Sequence, residues 1–440
     1  MSVVIMVFQV LLGLAILIIL HELGHYLAAR AFGIKVEKFF LFFDAYGFKL
    51  FSFKRGDTEF GVGWLPLGGY VKIAGMIDES MDKEQMALPP KPDEFRSKPA
   101  WQRLIVMLSG VAVNIVLGVV IFWIITMKYG EPYIAMSEYT NGIVPGQALT
   151  EIGLKPGDKV IKIGSKTVVK NNDLYSTDLF YGNVTLNVQR GDQMVNVFVP
   201  SNFVDKMSKY GTRKDLFSPR VRTIVDSLVP KGRAALSGLA KKDEIVSVNG
   251  VITTFLDQFQ QQLILNKGKN ITLGVLRNAQ LINVQVAADT SSKLGFGNQI
   301  PDFKIKRENY SILAALGIGS NRAFSVITDN AKAFSKIFKR EISPRNLSGP
   351  VGVAKMFGSQ FDWARFWLLT GVLSMALAFM NILPIPALDG GHALFLLVEI
   401  IKGKPLSVKF LETAQMVGFF IIIGLMVFTF GNDILKLIIK

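Results

Sequence analysis

The sequence predicts a polytopic α-helical membrane protein with four transmembrane helices, a membrane-associated β-element in the first cytoplasmic loop and two small α+β domains. Three observations predict it. Half of the 440 residues are hydrophobic. Four runs, at 3–20, 104–127, 363–383 and 411–430, approach the ~20 apolar residues needed to cross a bilayer. Between the second and third, over 128–303, charged residues return and the chain repeats itself.

The first run is not an ordinary secretory signal, because no Lys or Arg precedes Arg30. The formal charge of +15 speaks of surface and topology: the expected partner is the lipid bilayer, and no motif points to nucleic acid. With no cysteine there is neither disulfide nor thiol chemistry, and the redox compartment stays open. Basic residues flank the spans at Arg30, Lys35, Lys38, at Arg96, Lys98, Arg103, and at Lys402, Lys404, Lys409. The positive-inside rule makes these ends cytoplasmic. The N-terminus, the 128–362 segment and the C-terminus then lie outside the cytoplasm, with Lys436 and Lys440 against that assignment.

The first run ends in His21-Glu22-Leu23-Gly24-His25. Positions i and i+4 share a helix face, so both imidazoles reach one ion. A chance H-E-x-x-H arises in about one chain in a thousand of this composition, which favours a metal site over two snorkelling histidines. Zn²⁺ suits neutral imidazole and wants further ligands. Glu22 is placed to take a proton from water acidified by the metal. Eighteen residues precede His21, a helical rise of ~27 Å against a hydrocarbon core of ~30 Å, so the site belongs near the cytoplasmic boundary inside the membrane.

In the first loop, 36–43, 48–54 and 59–65 have strand-like composition. The apolar segment 65–73 reads either as a hairpin on the loop's own core or as a strand edge beside the metal, to which a peptide adds as a strand. Residues 78–98 read as a mobile linker or lid. The second span carries Ser109, Gly110 and Asn114. Asn114 either bonds across helices or faces the site, with packing the favoured reading.

The repeat aligns Val144-Pro145, Gly153-Leu154 and 158–163 with Val229-Pro230, Gly238-Leu239 and 243–248 at an offset of 85 residues. Pro, Gly-Leu, Asp, a β-run and Asn-Gly in this order resemble PDZ domains, which take extended peptides by strand addition; spacers or steric gates are the alternative. Residues 311–339 are helical by period, with a basic face, and are expected on the membrane surface or against the second repeat. The third span runs on through Asn381, Pro384, Pro386 and Asp389 to Glu399, too long for one straight crossing, and the two prolines break it. Broken backbone at membrane depth persists where it is buried or lines a watered cavity. Asp389 reads as third metal ligand or as helix N-cap, and His392 is its rival as ligand; spacing leaves that open.

With H-E-x-x-H, the 381–390 motif and the paired repeats together, the chain resembles the site-2 protease family over nearly its whole length. It is most similar to the regulator-of-sigma-E protease group of bacteria. Asn346-Leu347-Ser348-Gly349-Pro350 supports that group. The resemblance implies zinc held by His21, His25 and Asp389, with Glu22 as general base. It implies that Asn381, Pro384 and Pro386 seat substrate, and that Gly68, Gly69, Tyr70 and Val71 belong to a membrane-re-entrant β-element touching it. Implied substrates are single-span membrane proteins of the anti-sigma-factor type, already trimmed outside, and remnant signal peptides. The implied location is the bacterial inner membrane, with the repeats on the periplasmic side. Two family turns depart: 42–47 lacks the usual Gly-Phe-Gly-Pro-like form, and Val111 stands where a proline is common. The expected organisation is 1–32 first span; 33–100 loop; 101–128 second span; 129–215 and 216–303 PDZ-like domains; 304–360 amphipathic connector; 361–402 broken third segment; 403–440 fourth span.

Overall fold

The structure, a computed structural model, describes residues 2–66, 68–76, 89–210, 216–287 and 294–438. The chain divides into two units, Met1–Glu131 with Asn309–Lys440, and Pro132–Glu308.

The first unit is helical. Its helices are α1 (Ser2–Ala31), α2 (Ala100–Tyr129), α3 (Ile312–Phe338), α4 (Pro350–Phe357), α5 (Trp363–Ile382), α6 (Asp389–Lys402) and α7 (Val408–Ile438). Four of them, α1, α2, α5 and α7, are long and apolar enough to cross a membrane. α2 is the hub, packed by α1, α3, α5 and α6. Glycines make the close approaches. A Cβ on Gly24 of α1 would lie 2.7 Å from the Ser109 carbonyl oxygen, and one on Gly118 would lie 2.3 Å from Met375 Sδ of α5. Small residues serve this purpose in membranes because apolar burial gives no preference for helix over lipid.

The connector helix α3 packs along α2. Ala315, Gly319 and Ala323, one turn apart, are its buried residues, and a Cβ on Gly319 would meet Trp123 N at 2.7 Å. The apolar stripe located the helix; the small-residue row inside it specifies the partner.

Between α1 and α2 the loop forms a four-stranded sheet in the order β2-β3-β1-β4. The strands are β1 (Val36–Leu41), β2 (Lys49–Arg55), β3 (Thr58–Gly63) and β4 (Tyr70–Ile73). β4 makes no hairpin with β3; it crosses over to pair antiparallel with β1, Phe39 opposite Val71, and forms one edge of the sheet. Leu67 lies outside the described residues, as do 78–88 of the expected lid. The rest of that lid is packed down rather than free: Phe95 is buried in the cluster of Ile34, Val36 and Ile73, and Lys35 N donates to the Asp93 carbonyl.

The second unit holds two sheets of matching plan. β7 (Lys159–Ile163), β8 (Lys166–Thr167), β9 (Val184–Arg190) and β10 (Gln193–Val199) are ordered β10-β9-β7-β8; β13 (Glu244–Val248), β14 (Val251–Ile252), β15 (Asn270–Arg277) and β16 (Gln280–Ala287) are ordered β14-β13-β15-β16. Short pairs flank them: β6 (Ile143–Pro145) with β11 (Phe217–Pro219), β12 (Val225–Leu228) with β17 (Phe296–Asn298), and β5 (Glu131–Ile134) with β18 (Ile305–Glu308). Each copy has its own apolar core. Each also buries one aspartate under a bidentate arginine, Asp158 with Arg190 and Asp243 with Arg277. The same carboxylates accept from Lys155 N and Ala240 N, and the same arginines reach the carbonyls of Gly153 and Gly238. A buried carboxylate without such partners would cost several kcal/mol, on the order of a domain's whole stability. Burial alone would raise the Asp243 carboxyl; the Arg277 and Ala240 hydrogen bonds hold it below its ordinary value.

Candidate metal centre

α1 presents His21 and His25 one turn apart on the face turned to α2. Their Nε2 atoms lie 3.2 Å from each other. Asp389 Oδ2 lies 3.2 Å from His21 Nε2 and 3.4 Å from His25 Nε2. Three donor atoms thus form a nearly equilateral triangle. Ligand atoms about 2.0–2.1 Å from a tetrahedral zinc stand ~3.3 Å apart, so the triangle fits one face of that coordination shell. The chemistry fits too. Asp389 Oδ2 is buried and makes no hydrogen bond of good geometry, the mark of a lone pair aimed elsewhere. His25 Nδ1 stands 2.8 Å from the Val106 carbonyl. A carbonyl only accepts, so Nδ1 carries the proton and Nε2 is left as a lone pair. Among the described residues this is the only trio of such side chains disposed to hold an ion.

The position of Asp389 follows from the break in the third segment. α5 ends at Ile382, and Leu383–Leu388 turn back on themselves through the hydrogen bonds of Ile385 N to Leu383 O and Leu388 N to Ile385 O. Ala387 takes a positive φ of 76°, a strained choice for a residue with a Cβ. Glycines close over this segment. A Cβ on Gly390 would meet the Leu383 oxygen at 2.4 Å, one on Gly391 the Ile385 oxygen at 2.4 Å, and one on Gly418 of α7 the Pro386 oxygen at 1.7 Å. α6 and α7 therefore press closely on this turn, whose Pro384 is exposed while its other residues are half-buried. Leu388, not Asp389, is the N-cap of α6, so the carboxylate is not spent on capping.

Glu22 opens onto a cavity of about 560 Å³ together with the two histidines, Asp389 and the β4 edge from Gly69 to Ile73. A Cβ on Gly69 would come within 2.5 Å of Ile18 Cγ2 and 3.7 Å of Glu22 Cγ, so only glycine brings the strand this close to the helix. Asn381 Nδ2 is 3.3 Å from His21 Nε2. The other expected substrate residues are placed less directly. Gly68 packs on the Phe43 ring, and Gly68, Pro384 and Pro386 do not line the cavity among the described residues. His392 lines it but stands outside the triangle. Asn114 resolves in favour of the site: its side-chain amide lies 3.1 Å from His21 Nδ1.

Two polar groups in the cavity wall have no counterpart in the sequence reading. Asp44 accepts from Lys38 Nζ at 2.8 Å and from the Tyr70 hydroxyl at 2.7 Å. Burial would raise its carboxyl, but these two bonds hold it below the usual value. Gln415 of α7 is buried and lines the same cavity; a lone amide in an apolar run is the available signal.

The sequence pattern of Peptidase family M50 matches residues 9–425. The chain is similar to a regulator of sigma E protease of Haemophilus influenzae, 28% identical over 453 residues that cover 97% of this chain and 98% of that one. It is also similar to the regulator of sigma-E protease RseP of Salmonella typhimurium, 26% identical with the same coverage. Relatives from Xylella fastidiosa and Vibrio cholerae, 25% and 26% identical, carry zinc metalloprotease in their names. A match across nine-tenths of the chain, joined to two imidazoles and a carboxylate set for one ion, leads to one conclusion: the chain belongs to Peptidase family M50, the site-2 proteases, and is a membrane-bound zinc metalloprotease.

Proposed function

We propose that this protease cuts peptide bonds within the membrane-spanning segments of single-span proteins already trimmed outside, of the anti-sigma-factor type, and of remnant signal peptides. The observation that carries the reading is the ligand triangle of His21, His25 and Asp389, built on segments flanked by membrane helices. Zinc held there supplies a Lewis acid that acidifies water and polarises a carbonyl. Glu22, beside the first ligand, takes the proton of the attacking water and hands it to the leaving amine. Asn381 is the side chain on hand to donate to the carbonyl oxygen as it gains charge. A substrate helix hides its amides, so cleavage needs an extended chain; the β4 edge at Gly69–Val71 offers a strand to pair with.

The basic residues at the span ends support a bacterial inner-membrane orientation with the metal near the cytoplasmic face and the repeats outside. Residues 129–215 and 216–303 are read as PDZ-like domains that admit only trimmed substrates. The Glu22→Gln variant tests the mechanism. It is expected to keep one zinc per chain while cleavage of a single-span reporter in liposomes falls ~10²–10⁴-fold. Wild-type turnover by that variant would remove Glu22 from the reaction.

A further inference from the structure

The two imidazoles rest on α2 in a regular way. Val106, Gly110 and Asn114 are one turn apart along its buried face. His25 Nδ1 meets the carbonyl oxygen of Val106 at 2.8 Å, and His21 Nδ1 meets the side-chain amide of Asn114 at 3.1 Å. Gly110 lies between them: a Cβ there would stand 2.3 Å from His25 Nε2 and 2.7 Å from His21 Cε1. The partner of His25 belongs to the backbone and survives any side-chain change. The partner of His21 depends on one residue.

We propose that Asn114 is the positioning residue for His21: its amide oxygen accepts the Nδ1–H of the imidazole and so fixes Nε2 as the lone pair turned to zinc. This rests on the reading of His21 as a ligand. A ligating histidine keeps its proton on the other nitrogen, and that proton needs an acceptor. Of the two amide atoms only Oδ1 accepts. Asn114 is 1% exposed, and its Oδ1 is buried with no partner, so no competing bond opposes a half-turn of the amide that brings it onto Nδ1. The backbone that carries it is itself held, because Ser374 Oγ donates to the Asn114 carbonyl at 2.7 Å. That bond does not depend on the Asn114 side chain.

Zinc affinity of the purified full-length protein, measured by chelator competition, tests this, with Co²⁺ substitution giving the ligand-field spectrum. Asn114→Leu removes the acceptor and is expected to weaken zinc binding ~10–100-fold and shift the Co²⁺ bands. Asn114→Asp keeps an oxygen acceptor and is expected to stay within ~3-fold of wild type. Wild-type affinity in the Leu variant would overturn the proposal. So would an Asp variant weakened ~10-fold or more, and this arm decides even where the Leu variant does not fold. A wild-type chain that bound no zinc would overturn the ligand reading itself, a failure distinct from the other two.

Discussion

α2 and α7 are two apolar helices of 30 and 31 residues that the protein uses in opposite ways. In the most apolar stretch of α2, 39% of residues are buried; in that of α7, 11% are. α2 touches four other helices and backs both histidines. α7 is held near its start, where Phe410 packs on Phe395 and where Gln415 and Gly418 meet the cavity and Pro386, and at its far end by Asn432 and Asp433. Between them its side chains, Phe420 and Val427 among them, are exposed on the protein. Lipid tails are as apolar as those side chains, so nothing in hydropathy separates a hub from a wall. The difference lies in where glycines and polar groups fall.

The largest effect is expected in the hub. Gly110→Ala places a methyl 2.3 Å from His25 Nε2, and His25 cannot swing clear while Nδ1 is bonded to Val106. Zinc content and proteolysis are both expected to fall to background. An alanine variant that binds zinc normally would show that α2 is free to shift and is no hub. Gly418→Ala, on the wall, is the sharper half of the comparison. Its methyl would stand 1.7 Å from the Pro386 oxygen, so α7 has to move, yet no zinc ligand is touched. The expectation is unchanged zinc stoichiometry with cleavage lowered ~10-fold, about 1.4 kcal/mol in the barrier. Loss of zinc in this variant would mean that α7 helps build the metal site rather than only enclosing it.

What could be read in the sequence follows the same division. H-E-x-x-H is legible because both imidazoles and Glu22 sit within five residues on one helix, where geometry is fixed by the helical period. Asp389 is not legible in that way. Its approach depends on the turn at 383–388, on a positive φ at Ala387 and on Gly390 and Gly391, which let the turn's own backbone press in. None of these has a period, so the residues alone left His392 as a rival, and the family resemblance chose between them. For Asn114 the sequence leaves packing and the site both open, with packing favoured, because a lone asparagine in a span serves either purpose; only the register between α1 and α2 distinguishes them. The strands of the first loop appeared in their composition, whereas the crossover of β4 to β1 did not, since pairing is a non-local choice. In α3 the row Ala315, Gly319, Ala323 was there to be read as a helix-packing face.

The smallest effect is expected at the far anchor of α7. Asp433 Oδ1 accepts from Gly349 N at 3.0 Å and Oδ2 from Gly352 N at 2.8 Å. Gly349 is the N-cap of α4, Pro350 follows with no donor to satisfy, and Gly352 is the third helical residue. α4 thus borrows its cap from another helix, and the negative charge sits at the positive end of its dipole. Beside it Asn432 Nδ2 donates to the carbonyls of Arg345 and Leu347. Asp433→Ala removes both acceptors, at a cost of about 1–2 kcal/mol by the usual worth of a cap. Hydrogen exchange at Gly349 and Gly352 is expected to quicken, while zinc content holds and cleavage changes less than ~3-fold. Asp433→Asn, which keeps one oxygen, is expected to fall between the two, and Phe420→Leu on the exposed face to match wild type. If Asp433→Ala instead emptied the metal site as Gly110→Ala does, α7 would be part of the hub, and the contrast between the two helices would fail.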